Sequence, residues 1–210
     1  MKTHLITILS FLMLLACQNR QTDAQNETLT DTAALKPDTI DTGAQIPALA
    51  KQVLTALKNK DYESFAGFIH PAQGFRFSPY GYVDTATAMV FSARAFLDEL
   101  SKKPQTKITW GQYDGTGEPI TLTIEAYFKK FVYNADFLNA PQTSLNEMIG
   151  SGNSLNNLTA IYRDCAFTEH HFPGFDQKYN GMDWCSLRLV FKNYNNKIYL
   201  VGIVHDQWTI

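Results

Sequence analysis

The sequence contains few charged residues, and its basic residues do not outnumber its acidic ones. Among 210 residues, 18 are Lys or Arg and 20 are Asp or Glu, so the net charge at pH 7 is −2. Without a surplus of basic residues the chain has no strong field to attract phosphates, and we expect no nucleic acid among its partners. Hydrophobic residues make up 45% of the chain, which excludes a protein that is disordered throughout. The length suits a single domain.

Signatures of several enzyme classes are also missing. No Gly-x-Ser-x-Gly sequence occurs, which excludes the nucleophile elbow of α/β-hydrolases. Gly115 and Gly117 lack the Lys-Ser/Thr pair of a phosphate-binding loop. His170 and His171 are adjacent, so on a strand they would point to opposite faces instead of sharing a metal ion. The sequence therefore predicts no catalytic residue, no metal and no cofactor; enzymatic activity stays open, and a binding protein is favoured.

Cysteine is scarce, and the first of the three cysteines follows a short apolar run. Lys2 precedes the run Leu5–Leu15, which is too short to span a bilayer as a mature helix and has the length of a signal-peptide core. The run ends in Leu14-Leu15-Ala16-Cys17, which resembles the lipobox of bacterial lipoproteins. This resemblance implies that residues 1–16 are removed and that Cys17 is acylated, with the lipid bilayer as its partner. An ordinary secretory signal is the alternative.

The residues after Cys17 indicate the membrane in which a lipoprotein would be retained and the nature of the segment that follows. Gln18 stands where an Asp would mark retention in the inner membrane of Gram-negative bacteria, so the lipoprotein resemblance implies the outer membrane. The side of that membrane is left open. Residues 17–44 are rich in Gln, Asn, Thr and Asp and contain no aromatic residue, which predicts a disordered tether.

The two remaining cysteines lie in the part of the chain expected to fold. Cys165 and Cys185 would be outside the cytoplasm in an exported protein, where paired cysteines favour a disulfide. A bond between them would tie a predicted strand at 160–172 to the strand that follows. Two separate buried thiols are the alternative.

Residues 45–210 are predicted to form one α+β domain, beginning with helices. Ile46, Leu49, Val53 and Leu57 recur at helical spacing. Asp61 is a suitable N-cap for a second, short helix that ends before proline 71. Ser92 is a candidate N-cap for a third helix. The apolar residues of 120–133 fit either a strand or a helix, and a helix from about Thr123 is favoured. Residues 134–157 are expected to form a long connection with room for one short helix.

The last third of the domain is expected to be a sheet. Residues 186–192 alternate apolar and polar side chains, 193–196 are turn residues, and 197–208 form a strong final strand, so the two segments predict a hairpin. Helices followed by a closing hairpin predict N-terminal helices packed on a curved antiparallel sheet.

The order of these parts resembles the nuclear-transport-factor-2-like cone fold. The resemblance rests on residues 49–71 and 186–208, and the middle, 75–158, departs from it or carries a large insertion. Phe77-Ser78-Pro79-Tyr80 and the stretch from Trp110 to Gly115 also resemble uncharacterised bacterial lipoproteins, which imply no established activity. The cone fold hosts enzymes, carriers and interaction modules, so it does not select a function.

Aromatic and polar residues concentrate in the middle of the sequence. Aromatic rings with a few polar groups suit recognition of a glycan or an apolar small molecule, although core packing explains such residues as well. The ligand-binding candidates are Arg76, Tyr80, Trp110, Tyr113, Asp114 and Asp183.

The sequence thus supports three hypotheses. The leading one is a lipid-anchored protein of the bacterial cell envelope whose α+β domain binds a small molecule, a glycan or an envelope protein. The second is an enzyme that acts on an envelope polymer. The third is a structural subunit of an envelope lipoprotein complex.

Overall fold

A computed structural model describes residues 42–209, so Cys17, the predicted signal peptide and most of the predicted tether lie outside the described residues. Helix α1 spans Thr42–Asn59 and begins a few residues before the predicted start. Helix α2 spans Tyr62–Ala66, and its predicted cap is confirmed, because the Asp61 carboxylate accepts a hydrogen bond from the Ser64 amide.

Six strands form the main sheet: β1 Phe75–Ser78, β2 Val90–Phe91, β5 Gln142–Leu145, β6 Ala166–Phe172, β7 Cys185–Tyr194 and β8 Lys197–Gln207. Their order across the sheet is β2-β1-β8-β7-β6-β5. All neighbours are antiparallel except β1 and β8, which run parallel, so the sheet is mixed where an antiparallel one was expected. The α+β class and the closing hairpin are confirmed.

The hairpin of β7 and β8 closes through a two-residue turn. Asn195 and Asn196 have φ angles of 50° and 59°. Positive φ at both central positions is what a type I′ turn requires, and asparagine tolerates it better than most residues. A register shift between Val190 and Phe191 marks a bulge, which bends the strand pair.

The middle of the chain adds three helical segments and a separate hairpin. Ser92 caps α3, Ala93–Ser101, as predicted. Strands β3, Ile108–Gln112, and β4, Pro119–Leu122, pair with each other only. The predicted helix start near residue 123 is confirmed by α4, Ile124–Tyr127, which continues as a π-helical turn over Phe128–Val132.

Two segments differ from the sequence prediction. The polar connection contains β5, whose sequence has no apolar alternation that would reveal a strand. The strand predicted to begin at residue 160 begins at Ala166, because a short helix, α5, occupies Leu158–Ile161.

The sheet has two buried faces. The inner face packs on α1–α4 through a large aromatic cluster, in which Phe75 and Phe77 lie 4.4 Å apart between ring centroids. Edge-to-face contacts predominate in this cluster, as expected for aromatic quadrupoles. The outer face is covered by segment 146–165 and packs a smaller apolar cluster that includes Val83, Leu158 and Phe167.

The predicted disulfide between Cys165 and Cys185 is wrong, and both cysteines are free thiols. Cys165 directly precedes β6, whereas Cys185 pairs with Phe172 at the far end of that strand. At about 3.3 Å per residue this register separates the two cysteines by roughly 20 Å. A disulfide needs Cα atoms within about 7 Å, so the alternative of two separate thiols holds.

Candidate functional site

An open groove of about 910 Å³ lies between the loop after β1, the β3–β4 hairpin and the segment 153–155. We call it the tyrosine groove, after Tyr80, Tyr82 and Tyr113, which line it. Four of the six residues singled out from the sequence border it: Tyr80, Trp110, Tyr113 and Asp114.

The loop that carries Tyr80 and Tyr82 is fixed from below by β1 and β8. The Ser78 hydroxyl lies 2.7 Å from the Tyr80 carbonyl oxygen and 3.0 Å from that of Tyr82. His205 Nδ1 lies 3.1 Å from the Pro79 carbonyl oxygen. Because a carbonyl oxygen only accepts, Nδ1 carries the proton, and burial lowers the pKa of His205 to about 4. The imidazole is therefore a neutral anchor for the loop.

The opposite wall is the turn of the β3–β4 hairpin. Gly115 and Gly117 have φ angles of 81° and 71°, which explains two glycines in this turn. Tyr113 directly precedes the turn, and its hydroxyl accepts a hydrogen bond of 3.0 Å from Lys130 Nζ. The Lys130 ammonium also lies 4.4 Å from the centre of the Tyr113 ring, so the ring orientation is held by a cation.

Asp114 joins the groove wall to the C-terminal end of the domain. Its Oδ2 accepts a 2.6 Å hydrogen bond from the Thr209 hydroxyl, and its Oδ1 accepts one from the Gly115 amide. Asn153 Nδ2 in turn donates to the Thr209 carbonyl oxygen over 2.7 Å. These contacts connect two walls of the groove, and they give Asp114 a structural role at the rim.

Trp110 belongs to the core below the groove. Its side chain is fully buried, and its ring stacks on Tyr127 with 4.0 Å between centroids. The indole Nε1 donates to the Leu122 carbonyl oxygen over 2.9 Å. The indole therefore supports the groove floor and offers a ligand little surface of its own.

Arg76 and Asp183 lie elsewhere. Arg76 pairs with Gly202 across β1 and β8 and borders a second cavity on the outer face. Asp183 precedes β7 and accepts hydrogen bonds from the amides of Phe175 and Asp176, which organises the loop between β6 and β7. Arg76 lies level with Val190 in the strand register, whereas Asp183 precedes the start of β7, so the structure does not bring the two residues together.

Sequence reasoning missed a buried ion network on the outer face. Arg188 and Glu169 have no exposed side-chain surface. The guanidinium donates to Glu169 through Nε, at 3.0 Å, and Nη2, at 3.1 Å. It also donates to Asp206 through Nη1, and to the Gly150 carbonyl oxygen through Nη2, both at 2.8 Å. The only signal in the sequence was Arg188 among apolar residues of a predicted strand. An arginine in such a position normally indicates that this face of the strand is solvated.

The two carboxyl groups of this network respond differently to burial. Burial raises the pKa of Asp206, and the Arg188 charge offsets this only in part. For Glu169 the burial penalty is outweighed by Arg188 and by hydrogen bonds, so its pKa is lowered. Glu169 also accepts from the amides of Ile149 and Gly150, which attaches the covering segment 146–165 to the sheet. The network therefore links the two carboxylates to the chain that covers them.

The adjacent histidines point to opposite faces, as their spacing predicts. His171 Nδ1 lies 2.8 Å from the Ser186 hydroxyl on the outer face. His170 Nε2 lies 3.2 Å from the Thr168 hydroxyl, and burial lowers the pKa of His170 to about 4. A side chain at Gly150 would collide with Ser186 and Glu169, so this region is closed to a substrate. Among residues 42–209, no group of three or more potential ligands is arranged to hold a metal ion.

The lining of the tyrosine groove suits recognition of a polar, uncharged molecule. Tyr82 is 52% exposed and Leu155 is 77% exposed, so apolar surface is accessible at the mouth. Asp84 and Asp114 contribute carboxylates, and no Lys or Arg is among the lining residues of the described chain. Aromatic faces and hydrogen-bonding groups around one groove favour binding over proton transfer.

Within the described part of the chain, none of the helices combines the length and the apolar character needed to cross a membrane.

Comparisons with known proteins give structural similarity only. No family model and no curated protein matches the sequence. Aln2 from a Streptomyces species aligns at 8% identity with a TM-score of 0.35, over 82% of this chain and 94% of its own. A Xanthomonas campestris chain described as a putative calcium/calmodulin dependent protein kinase II association domain aligns at 11% identity and a TM-score of 0.33, over 78% and 85%.

The protein named Rd1NTF2_05 aligns at 12% identity and a TM-score of 0.30, over 79% of this chain and 99% of its own. At these TM-scores the α+β fold rests on the strand order and helix packing of this chain itself. The resemblance to the nuclear-transport-factor-2-like cone stays a prediction.

Proposed function

We propose that this protein is a lipid-anchored binding protein of the bacterial cell envelope and that its tyrosine groove binds a glycan. The observation that carries the binding proposal is the groove itself, with three tyrosines on walls held by hydrogen bonds. The anchor is supported by the lipobox-like sequence before Cys17.

A glycan fits the chemistry of the groove better than an anion does. Sugar rings present apolar faces that pack on aromatic rings, and their hydroxyls exchange hydrogen bonds with carboxylates and amides. Asp84 and Asp114 supply carboxylate oxygens on opposite walls, whereas no cation among the described lining residues would offset a negative ligand. The volume of about 910 Å³ lies near the upper end of typical ligand sites, which suits more than one sugar ring.

The test is a calorimetric titration of the full chain with soluble oligosaccharides of chitin and peptidoglycan. We expect Tyr82→Ala to weaken binding about tenfold, which corresponds to about 1.4 kcal/mol. Tyr179→Ala is the matched control, because Tyr179 is 46% exposed but lies outside the groove. Both variants should unfold at the wild-type urea concentration.

Two results would reject the glycan proposal. One is the absence of binding by every oligosaccharide at millimolar concentration. The other is equal weakening by Tyr82→Ala and Tyr179→Ala. Release of shortened sugars during the titration would instead support the alternative of an enzyme that acts on an envelope polymer.

The anchor is tested separately in cells. Cys17→Ala removes the thiol that the lipobox resemblance assigns to acylation, so we expect the protein to leave the membrane fraction. Mass spectrometry of the wild-type protein should show an acylated N-terminal Cys17. Unchanged membrane association of the variant would contradict the anchor without affecting the groove.

A further inference from the structure

A second cavity, of about 630 Å³, lies on the outer face of the sheet. We call it the cation cleft, because Arg76, Arg163 and Lys192 all line it. Asp164 is the one carboxylate in the lining, so the described lining carries a surplus of positive charge. This contrasts with the chain as a whole, whose net charge is −2.

The strand pairing explains why a cavity exists at this position. Arg76 lies opposite Gly202, which contributes no side chain to the outer face. A Cβ atom at Gly202 would lie 2.6 Å from the Tyr162 hydroxyl oxygen, so glycine lets this tyrosine approach the sheet. Arg76 and Tyr162, which both line the cleft, therefore lie close to the sheet at the position of Gly202.

The cations of the cleft have no carboxylate partner close by. No carboxylate oxygen of the described residues lies within 4.0 Å of the charged nitrogens of Arg76, Arg163 or Lys192. Asp84 acts on Arg76 only at longer range, and its oxygens accept from Ala86 and Thr87.

Arg76 also holds a buried donor without a partner. Its Nε is buried and makes no hydrogen bond within the described structure. This nitrogen is shielded from solvent, so an oxyanion in the cleft would meet the terminal Nη atoms of the guanidinium, which carry the remaining donors of the group. A guanidinium is the group best suited to such an anion, because it binds two oxygens of a carboxylate or phosphate at once.

We propose that the cation cleft binds a small ligand through a phosphate or carboxylate group. Arg76 holds the oxyanion, and Lys192 and Arg163 contact it from the sides. The volume of the cleft falls within the range of small-molecule sites and admits an organic moiety beside the anion. The site is separate from the tyrosine groove and does not depend on the glycan proposal.

Cys165 provides a reporter inside the cleft. It lines the same cavity and is half-buried, whereas Cys185 is buried. Burial raises the pKa of both thiols, and it raises that of Cys185 to about 12. Alkylation of the folded chain by iodoacetamide should therefore modify Cys165 in preference to Cys185. A ligand in the cleft should slow this reaction.

The experiment uses the full chain with inorganic phosphate, citrate and glycerol 3-phosphate as probes. We expect each bound anion to raise the melting temperature and to slow alkylation of Cys165. Tighter binding of glycerol 3-phosphate than of inorganic phosphate would indicate a lipid-headgroup-like source, and equal binding would indicate a free anion. Rising salt should weaken binding in every case.

Variants locate the effect. Arg76→Gln and Lys192→Gln should each weaken phosphate binding about tenfold. Arg94→Gln is the matched control, because Arg94 is exposed on α3 and pairs only with Asp98 among the described residues. If Arg76→Gln fails to fold, Lys192→Gln still tests the proposal, since Lys192 makes no ion pair in the described structure.

The proposal is overturned by either of two results. One is that none of the three anions changes the melting temperature or the alkylation rate at millimolar concentration. The other is that Lys192→Gln and Arg94→Gln bind phosphate equally well.

Discussion

The two faces of the β7–β8 hairpin bury the same strands by different chemistry. The inner face presents Leu187, Leu189 and Phe191 to an aromatic core. The outer face presents Arg188, which is as fully buried as Leu189 beside it in the chain. The inner face is stabilised by the removal of apolar surface from water, whereas the outer face combines a smaller apolar cluster with paired charges and depends on the segment that covers both.

This difference has consequences for how each face tolerates change. An apolar core loses stability in proportion to the atoms removed. A buried charge network fails when one member is lost, because the remaining charges stay buried without compensation. Substitutions at the neighbouring positions Arg188 and Leu189 therefore distinguish the loss of a buried charge network from the loss of apolar packing.

The largest expected effect comes from Arg188→Met. The variant leaves Glu169 and Asp206 facing each other without a cation, and we expect a loss of about 3–5 kcal/mol in the free energy of unfolding, measured with urea. A triple variant that adds Glu169→Gln and Asp206→Asn should recover part of this loss. A loss below about 1 kcal/mol in the single variant would remove the distinction between the faces.

The next effect is that of Leu189→Ala on the inner face. We expect a loss of about 3 kcal/mol, because the deletion leaves a cavity in a closely packed core. Urea unfolding should show the same loss at neutral and mildly acidic pH, whereas the loss in Arg188→Met should shrink as Glu169 and Asp206 become protonated. A strong pH dependence of the loss in Leu189→Ala would contradict an apolar inner face.

Buried histidines predict how stability depends on pH. Burial lowers the pKa of both His170 and His205 from 6.5 to about 4. Between these values the unfolded chain binds protons that the folded chain does not, so the histidine contribution is complete above pH 6.5 and declines as the pH falls towards 4. From about pH 7.5 to about pH 5 we expect each histidine to lower the free energy of unfolding by about 2 kcal/mol.

Urea unfolding of the double variant His170→Gln, His205→Gln checks this prediction. Its stability should change less over the same pH interval than that of the wild type, whatever its absolute value. Equal pH dependence of the two proteins would show that other groups govern the acid response.

The smallest effect is expected at the turn that joins the two strands, outside both faces. Asn195→Ala places a Cβ-bearing residue without a polar side chain at positive φ, which should cost about 1 kcal/mol. Asn196→Gly should be neutral or slightly stabilising, because glycine accepts positive φ. Thermal unfolding of both variants tests this contrast, and a destabilised Asn196→Gly would argue against a type I′ turn.

Local signals in the sequence predicted a large part of the fold. The helices after Asp61 and Ser92 were predicted from capping residues and apolar spacing, and the helix from about Thr123 was predicted from spacing alone. The final hairpin was predicted from alternation around a turn. These features depend on residues a few positions apart, so they can be read without knowledge of the tertiary structure.

The candidate site was predicted less completely. Tyr80, Tyr113 and Asp114 border one groove and Trp110 lies buried at its floor, whereas Arg76 and Asp183 lie elsewhere. The residue types indicated a binding surface. Which of these residues line the same cavity depends on contacts between loops that are distant in sequence. The segment around residue 154, which completes the groove, gave no signal of its own.

The sequence by itself determined the α+β class, the capped helices, the closing hairpin and the concentration of aromatic residues, because each of these is encoded by neighbouring residues. Only the tertiary structure decided that β1 lies parallel to β8, that Cys165 and Cys185 are far apart, and that Arg188 is buried. Strand pairing and register determine the first two, and the segment that covers the outer face buries Arg188. Both arise from contacts across the whole domain, for which a single sequence contains no periodic pattern.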